Sequence, residues 1–457
     1  MKSFSCYSVR IKLFKKIFQD TVDAYRAAVA FFIEITLAEW AQLSALESSY
    51  ETLSCMETLT IRTSKRQDVP FPFEDADQRF YKFPCYLRRA AINEAIGKVS
   101  SYQSNLANWE AADKKTRGKR PGYPSAGNCY PVLYRENMYE ADGTYSAKIK
   151  VYVRNTWDWI TVPLRKCDVD YIERHCQPVS EGTGPVLSRK ICAPTLQKRY
   201  KYWTLDFPIE EKVTLSNTPI EDRTILAVDL GLNNACACSV MRSDGTVVGR
   251  EFLKLPAEND SLDHALNKIK KAQRLGARRP KRLWASANGI TDRIAVLTAE
   301  FIIDVATRYH ADVIVMEYLD TSGKKKGSKK ERMHLWKSSA VQAMVTTKAH
   351  RAGIRITHVC AWNTSRLAFD GSGRVLRGKE SSKTQNNYSL CEFTSGKLYH
   401  ADLNASYNIG ARYFVRELTK PLSETARLQL EAKVPAACKR STCTLSTLID
   451  LNAVLAA

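Results

Sequence analysis

Two short, wholly apolar runs, each closed by a single acid, constrain this chain most. In TILAVDLGLNN, Asp229 follows ILAV; in DVIVMEYL, Glu317 follows VIVM. Apolar runs of this length with no polar face read as strands covered on both sides. A carboxylate at the end of such a strand is costly unless a cation or hydrogen bonds compensate it. From residue 224 onward the first run is followed by ACACSVM and TVVGREFLKL, which complete three strands with a hairpin signal at Asp244-Gly245. A helical stretch from about 262 to 309 comes next, then the second apolar strand, a helix around 334–352, the strand IRITHVCAW, a polar loop, and a helix opening at Asp402. Three antiparallel strands, then helix–strand–helix–strand–helix, is the order of an RNase H-like α/β domain.

A lone Asp at a strand end is ordinarily a turn or cap residue. Three acids in this order, two closing buried strands and one opening a helix, point to a divalent cation. Mg²⁺ takes oxygen ligands and keeps several waters. Two such ions about 3.5–4 Å apart can activate water and stabilise the leaving oxygen in phosphodiester hydrolysis. Asp229, Glu317 and Asp402 are the candidate catalytic and metal-binding residues, with two Mg²⁺ expected and Mn²⁺ as a substitute.

The charge fits a polyanionic substrate. Lys and Arg number 69 against 48 Asp and Glu, a net +21, more than solubility requires and typical of nucleic-acid binding. The densest run, ALNKIKKAQRLGARRPKR, contains Lys268, Lys270, Lys271, Arg274, Arg278, Arg279, Lys281 and Arg282 and no acid. Such a surface tracks phosphates without reading sequence. A second segment, KKTRGKRPGYPSAG, contributes Thr116, Arg117, Lys119 and Arg120 as candidate contacts. Tyr81, Lys82, Arg88 and Arg89 are weaker candidates. SGKKKGSKKER (322–332), just past Glu317, reads as a closing loop or a plain surface loop.

Upstream, SCYSVRIKLF (5–14) alternates as a strand does, residues 18–112 recur apolar at helical spacing with breaks near DVPFPFED, and 128–214 are short aromatic and β-branched runs suited to an antiparallel sheet or small barrel. The tail carries one helix, SETARLQLEAKV, with Ser423 as N-cap, and ends in an apolar run. The N-terminus alternates and lacks the apolar core of a secretory signal. The most apolar stretch is broken by Arg26, Glu34 and Glu39, as in an amphipathic helix. Thirteen scattered cysteines fit reduced thiols. A cytoplasmic, prokaryotic protein without a membrane partner is expected.

AVDLGLNN, IVMEYL and HADLNASYNIGARY resemble the three RuvC motifs of TnpB, the transposon-encoded RNA-guided nucleases, and of the compact type V CRISPR effectors. The third motif, with Asn404, Ala405 and Asn408 after the acid, is the most specific. Between motifs two and three, LWKSSAVQAMVTTKAHRAGIRITHV is similar to the family's helix and strand, with Trp336, Lys348 and Gly353 in place, and NTSR resembles the opening of its zinc ribbon. The likeness covers about 224–412; upstream it is one of layout.

The resemblance implies a multidomain α+β fold with these parts: a β-barrel-like wedge-type domain (1–17 and 121–215) interrupted by a helical recognition domain (18–120), a linker (216–223), a RuvC nuclease domain (224–357 and 400–415) split by a ribbon-like target-loading lobe (358–399), and a tail (416–457). It implies guide RNA and double-stranded DNA as partners, cutting beside a short flanking motif, and Asp229, Glu317 and Asp402 as the metal-binding acids. The alternatives are a guide-independent RuvC-type nuclease acting on junctions or transposon ends, and a guided DNA-binding protein that represses without cutting.

The chain departs from the family at the ribbon. TSRLAFDGSGR has no cysteine, and after Cys391 the partner position is Thr394, so four thiolates cannot be assembled and structural zinc is not expected. Cys391 reads as a remnant. A mixed set of His358, Cys360, Cys391 and His400 is the remaining zinc option; Cys236, Cys238, Cys438 and Cys443 read as ordinary thiols.

Overall fold

The computed structural model describes residues 1–62, 79–80, 82–114, 117–176, 184–199, 201–232, 234–319 and 330–456. The DVPFPFED break, Tyr81, Thr116 and most of the 322–332 loop lie outside them. The chain divides into two compact units, one of Phe4–Val179 and Arg189–Glu210, the other of Met1–Ser3, Ser180–Ser188 and Glu211–Ala457.

In the first unit β1 (Lys2–Ile11) leads into α1 (Lys16–Ala38), whose Phe18, Val22, Tyr25, Val29 and Phe32 form one buried stripe at helical spacing. After α2 (Trp40–Leu43) comes α3 (Ser49–Thr60). Its start is fixed by a reciprocal cap: the Glu51 N–H donates to Ser48 Oγ and the Ser48 N–H to Glu51 Oε2, both 3.2 Å. In α4 (Cys85–Ala111), Leu87, Ala91, Ala95 and Val99 are buried at every fourth position, small enough to let α1 pack against it. A meander follows, β2 (Tyr139–Ala141), β3 (Ser146–Val153) and β4 (Thr156–Pro163), then α5 (Lys166–His175). That helix falls in a stretch the sequence reads as all β. Asp168 in its first turn and Arg174 and His175 in its last complement the helix dipole. β5 (Val186–Ile191) and β6 (Thr195–Arg199) pair with β7 (Tyr202–Val213), which β1 also joins. One core serves both sheets and the helices; Phe18 and Trp203 meet in it at 5.6 Å between ring centres.

The second unit is built on a five-stranded sheet of β8 (Ile225–Leu230), β9 (Cys236–Met241), β10 (Val247–Leu253), β11 (Val313–Tyr318) and β12 (Arg355–Cys360), in the order β10-β9-β8-β11-β12. The first three are antiparallel, and β8, β11 and β12 run parallel. The helical stretch read as continuous from 262 to 309 is two helices, α6 (Pro256–Arg274) and α7 (Lys281–Arg308). Gly276, at φ +94°, closes the first and Pro280 opens the second. Then come α8 (Lys330–Leu335) and α9 (Ser338–Arg351), and past β12 a small antiparallel sheet of β13 (Leu376–Arg377), β14 (Leu390–Glu392) and β15 (Leu398–His400). Helices α10 (Ala401–Thr419), α11 (Glu424–Lys433) and α12 (Leu445–Ala456) end the chain. Ser423 caps α11, its side chain accepting from the Ala426 N–H at 3.3 Å.

The large sheet has a core on each face, one beneath α7 and α9, the other beneath α10 and α12. The terminal apolar run thus completes the second core as α12. Its Leu445, Leu448 and Leu451 are buried, and Asn452 Nδ2 donates to the Ser243 carbonyl at 2.8 Å. At the β9–β10 turn Gly245 has φ +90°, and a Cβ there would lie 3.2 Å from Ile449 Cγ1. No helix among the described residues is long and apolar enough to cross a membrane.

Truncating Leu448, which is fully buried, to Ala should destabilise this unit by about 2–5 kcal/mol. Leu455→Ala, at an exposed position, should stay within about 0.5 kcal/mol of wild type. Urea denaturation followed by circular dichroism reads both; equal effects would mean α12 is not docked.

Candidate functional site

Ile225 and Ala227 of β8 and Val313 and Val315 of β11 point into the core beneath α10, whereas Leu226, Val228, Ile314 and Met316 point into the opposite one. Side chains alternate along a strand, so Asp229 and Glu317 both face α10. Parallel pairing sets Met316 opposite Val228, so Glu317 and Asp229, one residue further, leave neighbouring strands side by side. Asp402 stands in the first turn of α10. The three acids of the sequence reading therefore lie at one end of one face of the sheet.

Gly410 brings the helix down onto that face. A Cβ there would sit 3.2 Å from Ala227 Cβ and against Met241 Sδ, so a larger residue would require the helix and the Met241 thioether to shift. One turn earlier the buried hydroxyls of Ser406 and Ser239 hydrogen-bond. The helix start is set by His400, whose Nδ1 accepts from the Asp402 N–H at 3.3 Å, and whose ring packs on Phe252 at 4.7 Å.

Two neighbours hold the carboxylates. Asn234 Nδ2 donates to Asp402 Oδ2 at 2.8 Å, and Thr364 Oγ1 donates to Glu317 Oε1. Thr364 is itself fixed by a ladder on α10. Asn408 Nδ2 donates to the carbonyls of Thr364 (2.9 Å) and Leu367 (2.8 Å), and Asn404 donates to Leu367 O and accepts from the Phe369 N–H, both at 2.8 Å. Arg412, 4% exposed, donates to the carbonyls of Cys360, Trp362, Ser441 and Cys443. In the sequence Asn404 and Asn408 stand out only as part of the third motif, and nothing there by itself marks a role for Asn234, Thr364 or Arg412. The i, i+4, i+8 spacing of Asn404, Asn408 and Arg412 on an otherwise apolar helix was the available signal.

Desolvation pushes the Asp229 carboxyl well above the ordinary carboxylate range; Glu317 and Asp402 push it further, and Arg377 opposes them. Burial also raises Glu317, against the Thr364 hydrogen bond and the charge of Arg412. Among the described residues no three Asp, Glu, His or Cys side chains are drawn together as a ready-made metal set. Thr364 and Asn234 each engage one carboxylate oxygen instead. The donor chemistry still fits a hard divalent cation: three carboxylates on one face, with the central one destabilised by the other two, is an arrangement a cation relieves.

Zinc finds no such fit. Cys391 is buried in the small sheet, its Sγ donating to the Tyr399 carbonyl at 3.5 Å, and burial raises its thiol to about 11. His400 caps α10, Cys360 is exposed, and His358, Cys360, Cys391 and His400 do not gather. The lobe closes instead on rings: Phe369 lies 5.3 Å from Phe393, 5.0 Å from Tyr399 and 5.2 Å from Tyr407.

The basic run lies on α6, the turn after it and the start of α7. Lys268, Lys271, Arg274, Arg278, Arg279, Lys281 and Arg282 are exposed and Lys270 half-buried. Leu262, Ala265, Leu266 and Ile269 bury the other side of α6. In the first unit Arg117 lies over the Trp109 ring at 4.0 Å, so it packs as well as projects, while Lys119 and Arg120 are exposed. Arg89 pairs with Glu57 at 2.9 Å. The aromatics of the β runs also separate, Trp157 and Trp203 into the core and Tyr202 toward solvent.

Asp229→Asn should raise the melting temperature of the protein held in EDTA, because it removes a buried carboxyl whose ionisation is opposed by desolvation and by Glu317 and Asp402. Wild type in EDTA should lose stability as pH rises above the ordinary carboxylate range, since its Asp229 binds a proton more tightly folded than unfolded. Asp229→Asn should show a shallower slope, the part that remains coming from buried Glu317. Mg²⁺ should stabilise wild type and leave the variant unmoved; thermal scans across pH, with and without Mg²⁺, check all three.

The fold is similar to that of the mini-RNA-guided endonuclease CRISPR-Cas_phi3, with a TM-score of 0.50 at 11% identity over 89% of this chain and 92% of that one. CasPhi-2 (Cas12j) bound to crRNA and phosphorothioate-DNA gives 0.46 at 9% identity (90% and 91% covered), and the Cas12f1-sgRNA-target DNA complex 0.33 at 16% (89% and 98% covered). In sequence, residues 5–153 match the Aq_aa04 family. The uncharacterized protein aq_aa04 of Aquifex aeolicus (strain VF5) is 30% identical over 123 residues, which span 26% of this chain and 67% of that protein. That 123-residue match covers two thirds of the relative, and the chain belongs to the Aq_aa04 family.

Proposed function

We propose that the protein is an RNA-guided DNA endonuclease. It would bind a guide RNA, recognise a short motif in duplex DNA, form an RNA–DNA heteroduplex beside it, and hydrolyse phosphodiesters at one RuvC-type site. The observation that carries this reading is the convergence of Asp229, Glu317 and Asp402 at one end of the β8–β11 face beneath α10. The fold likeness to a mini-RNA-guided endonuclease supports it, as does the row of exposed cations along α6 and α7. On this reading β1 and 121–215 form a wedge-type β-domain, 18–120 a helical recognition domain, and 358–399 a target-loading lobe. The protein would act in a prokaryotic cytoplasm.

Asp229, Glu317 and Asp402 would hold Mg²⁺, or Mn²⁺ in its place. When bound there, the ions supply Lewis acidity that lowers the pKa of water and offsets charge on the leaving oxygen. The protein's own part is positional. Thr364 and Asn234 orient Glu317 and Asp402, Arg412 offsets charge at Glu317 from below, and the cations of α6 and α7 hold the backbone of the strand.

The test is co-purification and cutting. The purified protein should carry a discrete RNA and, with it, cut matching duplex DNA only when Mg²⁺ is present. Asp229→Ala, Glu317→Ala and Asp402→Ala should each lower the rate at least 100-fold while still binding RNA. Cutting without RNA would favour the guide-independent nuclease, and bound RNA with no cutting by wild type would favour a repressor.

A further inference from the structure

The first unit contains an open cavity of about 500 Å³ that no step of this mechanism uses, a size suited to a small ligand. Its wall joins the start of α4, the turn before β2 and the end of β5. Tyr86 and Tyr134 form one side, ring centres 5.6 Å apart, with Tyr86 42% exposed. Arg135, Arg189 and Lys190 line it, and no acid does among the described residues. Neither Arg135 nor Lys190 has an ion-pair partner among the described residues, and both are exposed. Asn137 donates its Nδ2 to the Arg135 carbonyl at 3.2 Å, which leaves its Oδ1 to accept.

The turn is firmly built. The Tyr134 carbonyl accepts from the N–H groups of Asn137, Met138 and Tyr139 at 3.3, 2.7 and 3.1 Å, and the Glu136 N–H donates to Tyr139 O at 2.9 Å. Tyr134 and Arg135 are therefore presented from a fixed backbone, while Tyr86 is set by the first turn of a long helix. Aromatic faces beside unopposed cations, with one amide acceptor between, suit a planar base that carries a phosphate.

We propose that this cavity is a subsite for one unpaired nucleotide of a single-stranded nucleic acid. The base lies against Tyr86 and Tyr134, an N–H on its pairing edge donates to Asn137 Oδ1, and the adjoining phosphate meets Arg135 and Lys190. The site belongs to the first unit and the acids to the second, and its occupancy needs no cutting.

The test is photo-cross-linking of the full chain in EDTA to ten-nucleotide oligomers carrying one 4-thiouridine in RNA or one 4-thiothymidine in DNA, mapped by mass spectrometry. The expected result is a label on Tyr86 or Tyr134 from at least one oligomer; which one tells RNA from DNA. Tyr86→Ala should lower label at Tyr134 about tenfold, Tyr86→Phe should keep it, and Arg135→Ala with Lys190→Ala should lower it and flatten its salt dependence. Circular dichroism confirms that each variant is folded. Label confined to other peptides with both oligomers, or label at Tyr134 unchanged in folded Tyr86→Ala, overturns the proposal.

Discussion

The acid face of the second unit depends on how closely α10 lies on β8 and β9. That distance is set by a missing atom: at Gly410 there is no Cβ to hold the helix off Ala227 and Met241. Asp402 sits eight residues earlier, about 12 Å along the axis, so a tilt imposed at Gly410 would be magnified at the carboxylate. Close packing at one glycine thus becomes positional control at a charged group two turns away. Ser406 and Ser239 reinforce it with a buried hydroxyl pair.

The same helix organises the segment beyond β12. Asn404, Asn408 and Arg412 are buried polar groups whose donors end on backbone carbonyls between Cys360 and Leu367 and in the tail. Removing any one would orphan a buried partner, which costs more than the hydrogen bond itself contributes. A segment with little regular structure is thereby held in one conformation, and Thr364 with it. The site is consequently made of two layers: carboxylates from strands and helix start, and amide and hydroxyl donors that fix where those carboxylates point.

Much of the second unit was legible because its signals are local. The apolar runs at 225–228 and 313–316 are short and end in turn or acidic residues, which favours a doubly covered strand over a buried helix, and the Asp244-Gly245 turn joins its neighbours. The break between α6 and α7 was legible in principle, since Gly276 and Pro280 are helix-ending residues, but the basic pattern ran through them and masked it. The docking of α12 was not legible. An apolar terminal run does not say which surface it covers, and its partners Gly245 and Ser243 lie some 200 residues away. Helix α5 escaped because ten residues without a buried face leave little periodicity to read. At the site, the acids stood out because charge at the end of an apolar strand is anomalous. Asn234 and Thr364 did not, because a polar residue in a loop is ordinary until its partner is known.

The lobe between β12 and α10 has a further consequence. Its interior is Phe369, Phe393, Tyr399 and a buried neutral thiol, none of which is a thiolate. Thiolate ligands tie a lobe to its surroundings, because oxidants attack them and metal supply limits them. Phenyl and phenol rings packed edge to face are open to neither route. The lobe's interior accordingly draws its cohesion from ring packing, and the one thiol within it is shielded by burial.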